Sequence, residues 1–174
     1  MTETPRFTVS DLCETDCMAL VDWRYPPPYD LYDLGHDFPP DTAGQDAAAA
    51  FFLDRANGYF AVRDATTLAG YCCFGEDAQV PGGDYRQPAL DIGVGMRPDL
   101  TGQGHGAAFA TAVIAFGLVH FPAGLLRVTV ASFNQRSRRL WEKLGFSPAQ
   151  IFVSLATAPR EFVILTKSVG AQAE

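Results

Sequence analysis

The segment from Asp91 to Gly117 constrains the fold more than any other: a β-forming run carrying Gly93 and Gly95 meets Gly102, Gly104 and Gly106, and a long apolar run follows. Glycines at alternate positions let a chain turn sharply while exposing successive backbone N–H groups. The first-turn amides of the helix beyond lack intrahelical partners and carry about half a unit of positive charge, so the junction can seat an anion, a pyrophosphate included. A tight turn with close helix–strand packing explains the same glycines. Two familiar phosphate loops do not fit. A nucleoside-triphosphate loop ends in Gly-Lys-Ser/Thr, where this chain has Ala107 and Ala108 after its third glycine. A dinucleotide-binding unit comes early in a chain and places an acid ~20 positions on. Here the motif is central, and position 126 is Leu126. Gly93 and Gly95 predict a bulge or a close backbone approach, where edge amides could bind an extended amide chain.

The rest of the chain alternates around this junction. Residues 6–10 predict a strand, followed by a helix capped by Ser10 or Asp11 that carries Leu12, Met18, Leu20 and Val21. Residues 23–40 hold prolines that exclude a helix interior and aromatics that a plain linker does not need, which predicts a loop ordered by itself or by a ligand. An Ala-rich helix then stops near Asn57 and Gly58, and two strands form a hairpin through residues 64–67. After the strand over residues 90–96, the helix over 104–119 is apolar on nearly every face and is expected to be sandwiched inside the fold. The strand "LLRVTVAS", the amphipathic helix "NQRSRRLWEKLG" and two strands about Pro159 complete the chain. This order predicts an α/β (α+β mixed) fold, one domain over residues 1–174, with about seven strands in a mixed, largely antiparallel sheet flanked by about four helices.

At the glycine loop and at residues 134–146 the sequence resembles the GNAT superfamily of N-acetyltransferases. The family block Gln/Arg-x-x-Gly-x-Gly/Ala resembles "TGQGHG", and Asn-x-x-Ala/Ser-x-x-Leu-x-x-Lys-x-Gly-Phe resembles "NQRSRRLWEKLGF". The resemblance implies a GNAT-like sheet and acetyl-CoA as cofactor. It places the pantetheine arm along Val94, Gly95 and Met96, the pyrophosphate in the loop Thr101, Gly102, Gln103, Gly104, His105 and Gly106, and a cofactor contact at Asn134, where the neighbouring strand splays. Two departures stand out. Thr101 occupies the usual Gln or Arg position, and Trp141 stands where many members have a thiolate-protonating Tyr; an indole has no acidic proton to give. Ser137, one helical turn from Asn134, is the alternative donor, directly or through water, as in the subgroup acting on ribosomal-protein N-termini. Trp141 fits a core aromatic beside Leu140 and Leu144.

Amines with a pKa of roughly 8 to 10.4 are mostly protonated at neutral pH, so transfer needs a base or a water path. Asp91 is the leading candidate base, at a place where many family members carry an acid; hydrogen bonding within the loop or neutralising an arginine is its alternative use. Glu76 and Asp77 are held in reserve. Tyr25, Tyr29, Asp30 and Tyr32 are the candidate acceptor-binding residues, with Asp33 beside them in a wall of rings and acid suited to an ammonium group. Arg136, Arg138 and Arg139 form either a solvated helix face or a contact to the CoA phosphates. Oxyanion stabilisation is expected from backbone amides near Val94 and Gly95.

Charge bears on partners. With 13 Lys and Arg against 20 Asp and Glu, the net charge of -7 argues against sequence-independent nucleic-acid binding and more easily accommodates a cationic or amine-bearing partner. Cys13, Cys17, Cys72 and Cys73 complete no zinc pattern, so no metal is expected and the thiols read as reduced and structural. The N-terminus lacks a signal-like apolar core, and no apolar run reaches the ~20 residues of a membrane span. A cytoplasmic protein is therefore expected, with a homodimer contact through residues 23–40 left open. The function expected is acetyl-CoA-dependent N-acetylation of a primary amine, a protein or peptide N-terminus or a small amine, through a ternary complex. The alternative is a non-catalytic acyl-CoA sensor on the same fold.

Overall fold

The computed structural model describes residues 6–170. Seven strands and four helices follow in the expected order: β1 (Phe7–Ser10), α1 (Glu14–Asp22), α2 (Thr42–Leu53), β2 (Tyr59–Asp64), β3 (Thr67–Phe74), β4 (Leu90–Met96), α3 (Gly106–His120), β5 (Leu125–Ala131), α4 (Gln135–Lys143), β6 (Ser147–Val153) and β7 (Glu161–Ser168). The strands form one sheet in the order β1-β2-β3-β4-β5-β7-β6. Most of its pairs are antiparallel, and β4 with β5 is parallel. The chain divides into two compact units, Met1–Cys73 with Val94–Val113, and Phe74–Gly93 with Ile114–Glu174.

In the first unit, α1 and α2 pack through Cys17, Ala48 and Phe52, with Phe38, Phe51 and Tyr59 against that cluster. The N-cap of α1 differs from expectation. The helix starts after Cys13, because the Asp16 carboxylate reaches back to the Cys13 N–H at 2.9 Å and closes the first turn there. Asp16 also pairs with Arg63 of β2 at 2.6 Å, which ties α1 to the sheet. Burial raises the Asp16 pKa, but the Arg63 guanidinium and the Cys13 N–H outweigh it and leave the carboxyl below its ordinary value. A depressed folded-state pKa gives stability that is fully present above the unfolded value of ~3.9 and fades as pH falls through the folded value. Asp16→Asn is therefore expected to unfold more easily than the parent at neutral pH. The gap should narrow steadily below about pH 4, as denaturant midpoints measured across pH would show.

In the second unit, β5 pairs with β7 along all of Leu125 to Ala131, and its parallel register with β4 sets Leu90 beside Leu126 and Asp91 beside Arg127. Pro148 sits in β6, an edge strand, beside a register shift before Gln150, both places where a sheet tolerates a residue with no N–H. Trp141 of α4 is buried against Phe146, ring centroids 5.1 Å apart, which is a core role.

Helix α3 corrects one expectation. It is not enclosed: Ala108, Thr111, Ala115, Leu118 and Val119 are exposed, Val119 at 80%. Its buried face is Phe109, Ala110, Val113 and Gly117, and most of the exposed residues are apolar too, so a hydrophobicity pattern does not tell the two faces apart. No helix among the described residues is long and apolar enough to cross a membrane.

Candidate functional site

The glycine loop behaves as its residue types require. Gly102 and Gly104 adopt φ of 73° and 83°, left-handed conformations that cost an ordinary side chain about 1–2 kcal/mol. Space does not dictate glycine at 104, since a Cβ there would meet nothing within 4 Å. The loop's side chains fold back on the preceding turn: Thr101 Oγ1 donates to the Pro98 carbonyl at 2.8 Å, and Gln103 Nε2 donates to the Asp99 carbonyl. Its backbone amides are left over. The first helical bond runs from Phe109 N–H to the His105 carbonyl, and the N–H groups of residues 102–108 meet no protein acceptor among the described residues. A row of unspent donors at the positive end of a helix of 15 residues is the chemistry a diphosphate needs, so the residues present fit acetyl-CoA. The helix begins at Gly106, two residues later than expected, which lengthens this open row.

Arg6 was not singled out by sequence. Its Nη1 donates to His105 Nδ1 at 2.8 Å, and its Nε and Nη2 hold Asp64 at 3.0 and 2.8 Å. This strut ties the loop to β2, and a guanidinium, which only donates, fixes His105 Nδ1 as the acceptor.

Around the end of β4 stands a group of tyrosines. Tyr25 Oη donates to the Met96 carbonyl at 2.6 Å, and the Tyr25 N–H is held by the buried Asp33 carboxylate at 2.9 Å. Burial, with Asp33 nearby, pushes the Tyr25 hydroxyl well above its ordinary value. Tyr29, Asp30 and Tyr32 lie half-buried on a short 3-10 turn of the same loop, and the Asp30 carbonyl takes a bond from His36 Nε2 at 3.1 Å. The close approach expected at Gly95 is made by Tyr71 of β3: a Cβ at Gly95 would fall against the Tyr71 ring. Tyr71 thus joins the candidate residues. The signal for it was a tyrosine and a glycine in consecutive strands, but the register that sets one opposite the other across the connection between them cannot be read from spacing.

Asp91 is engaged otherwise than as a poised base. It is 4% exposed, and Arg127 grips it twice, Nε to Oδ1 at 2.6 Å and Nη2 to Oδ2 at 2.7 Å. Gln79 Nε2 adds a third bond at 2.9 Å. Hydrogen bonding to Asp91 raises the Arg127 pKa against its own burial, and Arg127 stacks over Tyr85 at 4.9 Å. Both carboxylate oxygens are thereby occupied, the arrangement of a structural ion pair. Of the two reserve acids, Glu76 and Asp77, both are exposed on a short turn after β3.

On α4, Asn134 caps the helix, its Oδ1 accepting from the Ser137 N–H at 3.1 Å, and Ser137 is half-buried. Arg138 Nη1 reaches the Ser132 carbonyl at 3.4 Å, while Arg136 and Arg139 are exposed. Burial pushes the Cys17 thiol up to about 11 and the Cys72 thiol well above its ordinary value, which removes both as nucleophiles. No cluster able to hold a metal occurs among the described residues. A cleft of about 600 Å3 in the second unit, lined by Arg86, Gln87, Arg127, Gln150 and Thr166 among others, contains none of the expected site residues.

A family model described as an acetyltransferase (GNAT) domain matches residues 6–147. Among solved structures, the chain resembles yncA from Salmonella typhimurium, solved with its cofactor acetyl-CoA, at 16% identity over 97% of each chain with a TM-score of 0.66. It resembles a spermidine N-acetyltransferase SpeG chimera from Vibrio cholerae and hSSAT at 15% identity over 94% of this chain and 95% of that one, TM-score 0.69. A GNAT-family acetyltransferase from Bacillus anthracis gives 15% identity over 95% and 96%, TM-score 0.70. Likeness at these identities speaks for the fold. No curated protein matches the chain.

Proposed function

Because the chain belongs to the GNAT family of acetyltransferases, we propose that it moves the acetyl group of acetyl-CoA to the primary amine of a protein N-terminus or a small molecule, by direct attack within a ternary complex. The observation that carries this reading is the row of unspent amides over residues 102–108 at the head of α3. Their geometry suits the diphosphate, and Val94 to Met96 would take the pantetheine arm by backbone hydrogen bonds. Asn134 is assigned to the same ligand through the family block, in addition to capping α4. The family model runs through both compact units, in keeping with a single working domain.

Acetyl-CoA supplies an activated thioester; the chain supplies position and electrostatics. The amine loses a proton, the C–N bond forms, the C–S bond breaks, and the thiolate takes up a proton from Ser137 or from water. With Asp91 bound on both oxygens, we assign the amine's proton to solvent, and Asp91 to holding β4 against β5. The acceptor wall is assigned to Tyr25, Tyr29, Asp30 and Tyr32, whose rings and carboxylate suit a cation in a chain of net charge -7.

The test is acetyl-CoA with a panel of peptides bearing free N-termini, polyamines and aminoglycosides, read by release of free thiol. Turnover with at least one amine is expected. Tight acetyl-CoA binding with no thiol released from any amine would leave an acyl-CoA sensor in its place.

A further inference from the structure

Successive residues of a strand face opposite sides of the sheet, so the surroundings of Gly70 and Tyr71 define two faces. A Cβ at Gly70 would press on the Phe109 ring of α3, at 2.5 Å from Cζ. Tyr71 therefore points away from α3. Its ring centroid lies 5.9 Å from that of Tyr59, which in turn meets Phe52 of α2 at 4.9 Å. On that same face Gly95 presents its bare Cα to the Tyr71 ring, and Tyr25 crosses to the Met96 carbonyl.

The two hydroxyls here are not equivalent. Tyr25 Oη is spent on a backbone carbonyl, whereas Tyr71 Oη makes no hydrogen bond among the described residues. Tyr71 is half-buried and its hydroxyl is not among the fully enclosed atoms that lack a partner, so the donor stays accessible to a ligand. Burial, with Cys73, Tyr25 and Tyr32 nearby, keeps the Tyr71 hydroxyl protonated far into the alkaline range. It is a fixed donor with no acceptor, lying against Gly95 of β4, the strand assigned above to the pantetheine arm.

We propose that the Tyr71 O–H donates a hydrogen bond to the thioester carbonyl oxygen, and that together with the backbone N–H near Gly95 it forms a two-donor site for the negative charge developing there. This rests on the acetyltransferase reading and adds to it a catalytic residue from outside both family sequence blocks. A neutral amine cannot be the hydroxyl's productive partner, since its lone pair must be directed at the acetyl carbon. The thioester oxygen has lone pairs to spare, and it gains charge as the C–N bond forms. Gly95 is glycine on this account so that the phenol can lie flat against β4.

The deciding variant is Tyr71→Phe, which keeps the ring and deletes the donor. Loss of one such donor typically lowers kcat by about 100-fold. The expected result is that fall in kcat, with the acetyl-CoA Kd and the amine KM within about twofold, and with thermal stability unchanged. Three results would overturn the assignment: a kcat within threefold of the parent, a raised amine KM at constant kcat, or a fall in Tm that accounts for the lost activity. A parent protein that neither binds acetyl-CoA nor releases thiol would instead defeat the underlying function, so the two failures are told apart by the unmutated chain.

Discussion

Replacing Asp91 with alanine is expected to destabilise the protein by about 3–5 kcal/mol, the usual effect of leaving one member of a buried ion pair alone. Arg127 would keep its full charge at 3% exposure with the Gln87 carbonyl, at 2.9 Å, and the Tyr85 ring to share it, but no carboxylate bound to it. For a chain of this length such a loss lowers Tm by roughly 6–20 °C, and typical domains have only about 5–15 kcal/mol in all. Replacing both partners, Asp91→Leu with Arg127→Met, should restore most of the stability, because the desolvation cost of both charges disappears together. Asp91→Asn separates the structural role from a basic one. If the carboxylate only holds the strands, the variant loses stability while the pH dependence of kcat among folded molecules stays as it was. A kcat–pH profile that loses its acidic limb, in a variant of parental stability, would return Asp91 to the reaction.

The second large effect is expected at Gly104. Valine there must adopt a φ of 83°, a conformation that β-branched side chains resist, and its methyl groups would project into space now open to a ligand. Should the loop shift so that two backbone donors no longer reach the diphosphate, at about 1.5 kcal/mol for each charge-assisted bond, acetyl-CoA affinity falls by about 100-fold. The fold should suffer much less, since no neighbour is displaced. Titration calorimetry alongside thermal unfolding would check both halves. An affinity within a factor of three of the parent would mean that the loop amides are not the ligand's donors.

What could be read in the sequence follows from which interactions are local. The strand, glycine loop and helix at residues 90–120 were legible because positive φ and orphan amides are properties of neighbouring residues, and the structure has both. The hairpin between β2 and β3 and the end of α2 before Gly58 follow the same logic. Asp91 was noticed and its partner was not. Arg127 lies 36 positions away and reaches it only through the parallel register of β4 with β5. A signal was present: each is the one charged residue inside an otherwise apolar strand, "LDIGVGM" and "LLRVTVA", and a charge buried that way requires an opposite one. Tyr71 was missed for the same kind of reason, because its facing partner Gly95 is set by the sheet and not by spacing. The Cys13 cap escaped because the group that closes the helix start is Asp16, three residues inside it.

The most direct measurement compares the affinity of the parent protein for acetyl-CoA with its affinity for acetyl-pantetheine, which carries the same thioester arm without the diphosphate. A seat built from the amides at the head of α3 predicts that acetyl-CoA binds tighter by about 100-fold or more, and that Gly104→Val removes most of that advantage while leaving acetyl-pantetheine binding unchanged. Equal affinity for the two ligands, or no detectable binding of acetyl-CoA, would contradict it.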